Sequence, residues 1–173
     1  MRGSSSYTGI LLAAILLILS FASCIKDNGR EWELPIGSRV PDFTVILNDG
    51  TSFSSASLDE GAGLIAFFHT GCPDCRQALQ ILQQMFEDYS SEGIPFVLIS
   101  RAEGRADVAA YWKETGLTLP YSAREDREIY DMFASSRIPR IYLCKDGIIR
   151  RVFADSPVPT AEELSSAIEL LLF

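Results

Sequence analysis

The sequence predicts an α/β domain with a mixed central sheet, helices on both faces and an extra strand pair at its N-terminal side. Three observations carry that expectation. Two continuous apolar runs, "GLIAFFH" (63–69) and "IPFVLIS" (94–100), read as strands buried on both faces. A stretch of helical periodicity lies between them, and a strand–helix–strand unit implies a parallel pair joined by a right-handed crossover. Further on, "IYLCKDGIIRRVF" (141–153) sets two strands around a Lys-Asp-Gly turn, a hairpin signal that adds antiparallel strands.

The elements follow in order. "FTVIL" (43–47) and "NDGTSF" (48–53) read as a strand, a glycine-containing turn and a second short strand. After the run 63–69, Ala78, Leu82, Met85 and Tyr89 recur at helical spacing, joined by Leu79, Ile81 and Phe86. That pattern predicts a long amphipathic helix from about Pro73 to Ser90. Beyond the second buried strand, Asp107 to Thr115 and Asp126 to Ala134 read as two more helices. "TAEELSSAIELLLF" (160–173) closes the chain; Thr160 and Glu163 form a capping-box pair ahead of an apolar-faced helix.

A length of 173 residues fits one domain with a short appendage and one sizeable core. Hydrophobic content of 47% excludes a disordered chain. A net charge of -8 excludes nucleic-acid phosphate as a natural partner.

The appendage is N-terminal. Arg2 is the only charge in residues 1–23, an apolar run spans Ile10 to Leu19, and small residues precede Cys24. This is the layout of a secretory signal. A membrane-spanning helix needs about 20 apolar residues, a length that Tyr7 to Ile25 reaches only by including several Ser, Thr and Gly. A cysteine directly after "FAS" resembles the lipobox of bacterial lipoproteins, with Phe21 where leucine is usual. The resemblance implies cleavage before Cys24, lipidation of that residue, and an exported, membrane-anchored place in the bacterial cell envelope facing the periplasm. Residues 24–37 then read as a polar tether, in which Trp32 packs on the domain surface, and 38–173 as the domain.

Cys72 and Cys75 stand in "FFHTGCPDCRQAL" (67–79), a spacing shared by redox pairs, halves of metal sites and small staples. Their location says more than their spacing. Cys72 falls between a buried strand and the first turn of a helix, whose partial positive end favours the thiolate. Cys75 lies about one turn further in and more sheltered. An activated thiol beside a protected one is what thiol–disulfide exchange requires. Pro73 at the first helical turn gives up only an N–H that would be unpaired anyway. A metal site would need two more ligands, and apart from Cys24 the chain offers only His69 and Cys144. A ring this small would constrain the unfolded chain little, which weakens the staple reading. No metal and no cofactor is implied.

The domain resembles the thioredoxin fold, and within it the exported, membrane-tethered thiol–disulfide oxidoreductases of the TlpA and ResA type. The resemblance spans about Gly37 to Phe173 and rests on "VPDFTVILNDG", "FFHTGCPDC", "SSRIPRIYLCKDGIIRR" and the closing helix. It implies that Cys72 and Cys75 are the catalytic pair and that Pro139 is a cis-proline beside them. It also implies that the backbone of Ile138 pairs with an extended substrate chain, a form of strand addition. The chain departs from the family at Gly71, where tryptophan is usual, at Ala66 and Ala78, where acids stand in relatives, and at Arg140, where threonine is common. The usual proton acceptor for Cys75 is therefore missing, and Asp74, His69 or water are the substitutes. Asp74 disfavours a nearby thiolate, whereas Arg76 and Arg140 favour one. Cys144, alternating with Tyr142 along a strand, reads as buried filler.

The expected function is dithiol–disulfide exchange on thiol- or disulfide-bearing exported proteins, with a membrane-side redox partner. Two alternatives stand beside it. One is a peroxiredoxin-like peroxidase, whose signature places a proline ahead of Thr70 that "FFHTGC" lacks. The other is a non-enzymatic lipoprotein with an inert disulfide.

Overall fold

A computed structural model describes residues 31–155 and 157–172. The signal segment, Cys24 and the first part of the tether lie outside the described residues.

Strands β1 (Thr44–Ile46) and β2 (Ser52–Ser54) pair antiparallel, with Val45 opposite Phe53. The Asp49 carboxylate closes the turn between them by accepting from the Thr51 N–H at 2.8 Å. The main sheet contains β3 (Ala62–Phe68), β4 (Phe96–Ser100), β5 (Tyr121–Ser122), β6 (Arg140–Lys145) and β7 (Ile148–Phe153). Its order is β5-β4-β3-β6-β7. β3, β4 and β5 run parallel, while β6 and β7 are antiparallel to their neighbours, so the sheet is mixed. Every residue of β4 is buried, as its unbroken apolar run requires. The β6–β7 turn places Asp146 and Gly147 at φ 53° and 69°, the conformation of a two-residue hairpin turn.

Helices α1 (Pro73–Tyr89), α2 (Arg105–Thr115) and α3 (Ala161–Leu172) complete the regular structure. Strand register shows which face each element covers. Leu64 pairs with Phe96 and Phe68 with Ser100, so Phe68 and Phe96 share one face. On that face Phe86 of α1 meets Phe96, Trp112 of α2 meets Phe68, and α3 joins α1 through the Tyr89–Ser165 hydroxyl pair. The opposite face carries Phe67 and Tyr142, packed against Tyr130 and Phe133, with Phe43 behind. Both faces are thus covered by helical structure: three α-helices on one, and the 3-10 turn Tyr130–Met132 with the N-terminal strand pair on the other. At the start of α3, Thr160 and Glu163 exchange the two capping-box bonds, Glu163 N–H to Thr160 Oγ1 at 3.2 Å and Thr160 N–H to Glu163 Oε2 at 2.8 Å.

Two elements differ from the sequence expectation. The helix expected over Asp126 to Ala134 contracts to the single turn Tyr130–Met132. Its start is diverted by Asp126, whose carboxylate takes the Glu128 N–H at 3.0 Å. Its end is held by the N-terminal segment: the Phe133 carbonyl accepts from the Leu34 N–H at 2.7 Å, and Ala134 bridges Glu33. The second difference is β5, too short for any periodicity. It is held by β4 and by Asn48, which donates to the Tyr121 carbonyl and accepts from the Tyr121 N–H.

Within the segment read as a tether, residues 31–37 are bonded to the body of the domain. Besides Leu34, the Gly37 N–H donates to the Ile149 carbonyl at 2.8 Å, and the Trp32 N–H to Ser135 Oγ at 2.9 Å.

Candidate active site

β3 delivers its buried apolar run to one end of the sheet, and the chain turns through His69–Cys72 into α1. Cys72 is the N-cap of that helix, with extended backbone, and Pro73 occupies the first helical position. The Cys72 sulfur accepts from the Cys75 N–H at 3.5 Å. A free helix N–H thus points at the sulfur on which a thiolate would form. Cys72 is half-buried and Cys75 fully buried, and both are free thiols. Burial pushes the Cys75 thiol well above the usual range, an effect partly offset by a backbone hydrogen bond from His69.

Across from α1 lies the turn into β6. The Ile138–Pro139 peptide bond is cis, and both residues are buried. Cys72 Sγ donates to the Ile138 carbonyl at 3.7 Å, so the first cysteine and the proposed substrate platform face each other. The Tyr130 hydroxyl supports the turn by donating to the Arg137 carbonyl at 2.6 Å.

The other candidate residues divide by location. The backbone carbonyl of His69 accepts from the Cys72 N–H at 3.0 Å, and its Nδ1 accepts from the Gly71 N–H at 2.9 Å. A Cβ at Gly71 would stand 3.1 Å from His69 Nδ1, so the imidazole would have to give by a few tenths of an ångström. Asp74 is exposed in the first turn of α1. Arg76 turns back to the loop, its Nε donating to the Thr70 carbonyl and its guanidinium lying over Tyr111. Arg140 is engaged elsewhere: its buried guanidinium pairs with Glu33 and donates to the Ser136 carbonyl at 3.0 Å. Cys144 faces the Gly63 carbonyl at the far end of β3, away from the pair.

Two site residues were not singled out in the sequence as partners of the pair. Thr70 and Glu103 are both buried, with Glu103 in the loop between β4 and α2. The Glu103 carboxylate accepts from the Thr70 N–H at 2.9 Å and from the Thr70 hydroxyl. A lone acid in a polar loop, 33 positions from its partner, carries no sequence signal that separates it from surface acids.

Arranged in this way, the residues present one accessible thiol at a helix N-terminus, a second thiol sheltered behind it, and a peptide turn beside the first. Comparison with known proteins agrees with that geometry. ResA, the thiol-disulfide oxidoreductase of Oceanobacillus iheyensis, is 26% identical over 145 residues, which cover 82% of this chain and 73% of the relative. ResA of Bacillus subtilis is 24% identical over 136 residues, covering 79% of this chain and 75% of that protein. Among solved structures, a thioredoxin-family thiol:disulfide interchange protein from Chlorobium tepidum superposes with a TM-score of 0.70 at 25% identity, covering 81% of this chain and 99% of that one. The fold is thioredoxin-like. Residues 36–153 match the AhpC/TSA family, two-thirds of the sequence with the cysteine pair and the Ile138–Pro139 turn inside it, and the chain belongs to that family.

Proposed function

We propose that this protein is a thiol–disulfide oxidoreductase that works by dithiol–disulfide exchange through Cys72 and Cys75. The observation that carries the reading is Cys72 itself: half-buried at a helix N-terminus, its sulfur against both the Cys75 N–H and the Ile138 carbonyl. In the reducing direction the Cys72 thiolate attacks one sulfur of a client disulfide, forming a mixed disulfide and releasing a client thiolate. Cys75, once deprotonated, attacks Cys72 Sγ and releases the second client thiolate. Two electrons pass to the client, and the protons of the two enzyme thiols end on the two client thiols. The opposite direction reverses each step. Burial favours the protonated form of the Cys75 thiol, in keeping with its place as the second, resolving thiol.

The clients on this reading are exported proteins bearing thiols or disulfides, and a membrane-side partner exchanges electrons with the pair. Support for this setting comes from the N-terminal pattern, with Cys24 as the lipidated residue of an envelope protein facing the periplasm. Peroxide turnover is the competing chemistry within the same family. Against it, the hydroxyl of Thr70 is engaged with Glu103.

A Cys75→Ser variant tests the assignment. It accumulates mixed disulfides with client proteins through Cys72, visible on non-reducing gels and removed by dithiothreitol. Absence of trapped complexes, together with a wild type inert toward a model disulfide, overturns it. The reduction potential of the pair separates this function from an inert structural bond, which sits below about -300 mV.

A further inference from the structure

We infer that Glu103 is the positioning residue of the redox pair, its buried carboxylate fixing the β3–α1 loop through Thr70 and biasing the pair toward the disulfide. This rests on the exchange function proposed above and names the residue that tunes it.

Three observations lead there. First, a buried carboxylate needs a reason to be where it is, because burial removes its hydration. The Glu103 side chain is 4% exposed, and the nearest cationic candidate is His69 Nδ1 at 3.6 Å. That nitrogen already accepts the Gly71 N–H. What compensates the carboxylate is therefore Thr70, whose N–H and hydroxyl each donate to one of its oxygens.

Second, Thr70 is held from its other side as well, since its carbonyl takes the Arg76 Nε–H. With N–H, hydroxyl and carbonyl all engaged, Thr70 is a fixed point. His69, one residue before it, touches Cys72 through its backbone, its carbonyl accepting from the Cys72 N–H at 3.0 Å. Glu103 thus reaches the Cys72 backbone through two covalently adjacent residues.

Third, the carboxylate is an acidic group bonded to the loop that carries a site whose two redox forms differ in charge. A disulfide is neutral, whereas the dithiol form gives a thiolate, and a nearby anion disfavours the thiolate. Arg101 opposes this influence at Cys75, and Asp74, Arg76, His69 and Tyr111 are among the other titratable groups beside the loop. Asp74 is exposed and Glu103 is not, so Glu103 is the less screened of the two acids. The chain lacks an acid at Ala66 and at Ala78, and the β4–α2 loop supplies one from a different direction.

The test is the Glu103→Gln variant of the full chain, equilibrated against glutathione, with the Cys72 thiolate followed by ultraviolet absorbance. Gln keeps one acceptor for Thr70 and removes the charge. The expected result is a tenfold shift of the equilibrium toward the dithiol, about 30 mV upward in potential. An unshifted or lower potential, even with a reduced melting temperature, overturns the assignment. Should the variant not fold, the wild type still decides: the Glu103 carboxyl carbon resonance differs between the dithiol and disulfide forms. An identical resonance in both forms overturns the proposal. A wild type that exchanges no disulfide defeats the functional reading itself, while an exchanging Glu103→Gln with wild-type potential defeats only the role of Glu103.

Discussion

Cys72, Cys75 and Cys144 carry the same side chain, and their surroundings give them three different chemistries. Cys72 sits at the mouth of α1 with a helix N–H on its sulfur. Cys75 is one turn behind it and buried, and Cys144 is sealed in the sheet with only the Gly63 carbonyl for company. Burial pushes the Cys144 thiol up from 9.0 to about 12. The sign of the consequence follows from linkage. A group whose folded value is raised keeps its proton in the native state while the unfolded chain loses it. Its contribution to stability is therefore intact below about pH 9 and lost as pH rises toward about 12. Native stability should fall over that window by about 1.4 kcal/mol per pH unit for each such thiol. Cys75 acts in the same direction. Urea denaturation of Cys144→Ala at pH 9 and pH 11 should show a shallower loss than wild type, and equal slopes would refute the assignment.

Among the elements, the most constrained is β3, which supports the active-site loop at one end and packs under the 3-10 turn Ser55–Leu58 at the other. Gly63 permits that packing. A Cβ at this position collides with Leu58 and comes within 3.2 Å of Cys144 Sγ, and both neighbours are fully buried. Gly63→Ala should lower stability by about 1–3 kcal/mol through overpacking, read as a lower urea midpoint with the potential of the cysteine pair unchanged. A wild-type midpoint would show that Leu58 yields freely. Elements with a strong local period were legible in the sequence: α1 through its apolar face, the β6–β7 hairpin through Asp146–Gly147, and the start of α3 through Thr160 and Glu163. β5 was not, because two residues after Pro120 carry no alternation and exist as a strand only through β4 and Asn48. The helix expected over 126–134 shows the converse, a local pattern overridden by backbone bonds from a segment about a hundred residues earlier.

At the scale of the whole molecule, the N-terminal segment and the turn that carries the cis Ile138–Pro139 bond are joined. Residues 31–37 lie along the 133–140 turn, where Glu33 pairs with the buried Arg140, Glu31 with Arg137, and Leu34 with the Phe133 carbonyl. A chain beginning at residue 38 loses these bonds and leaves Arg140 buried without its carboxylate. It should be less stable than a chain beginning at residue 31 by about 3 kcal/mol, measured as the difference in urea unfolding free energy. Coincident midpoints would reduce the segment to a plain tether. The sequence by itself determined the mixed α/β sheet and the cysteine pair at a strand-to-helix junction, because apolar periodicity and helix-start signals are local. Only the tertiary structure decided that Arg140 serves Glu33 and that the buried Glu103 of the β4–α2 loop takes the Thr70 N–H and hydroxyl. Both depend on which distant segments meet, and the chain encodes such meetings only through packing and hydrogen bonds formed once the sheet has assembled.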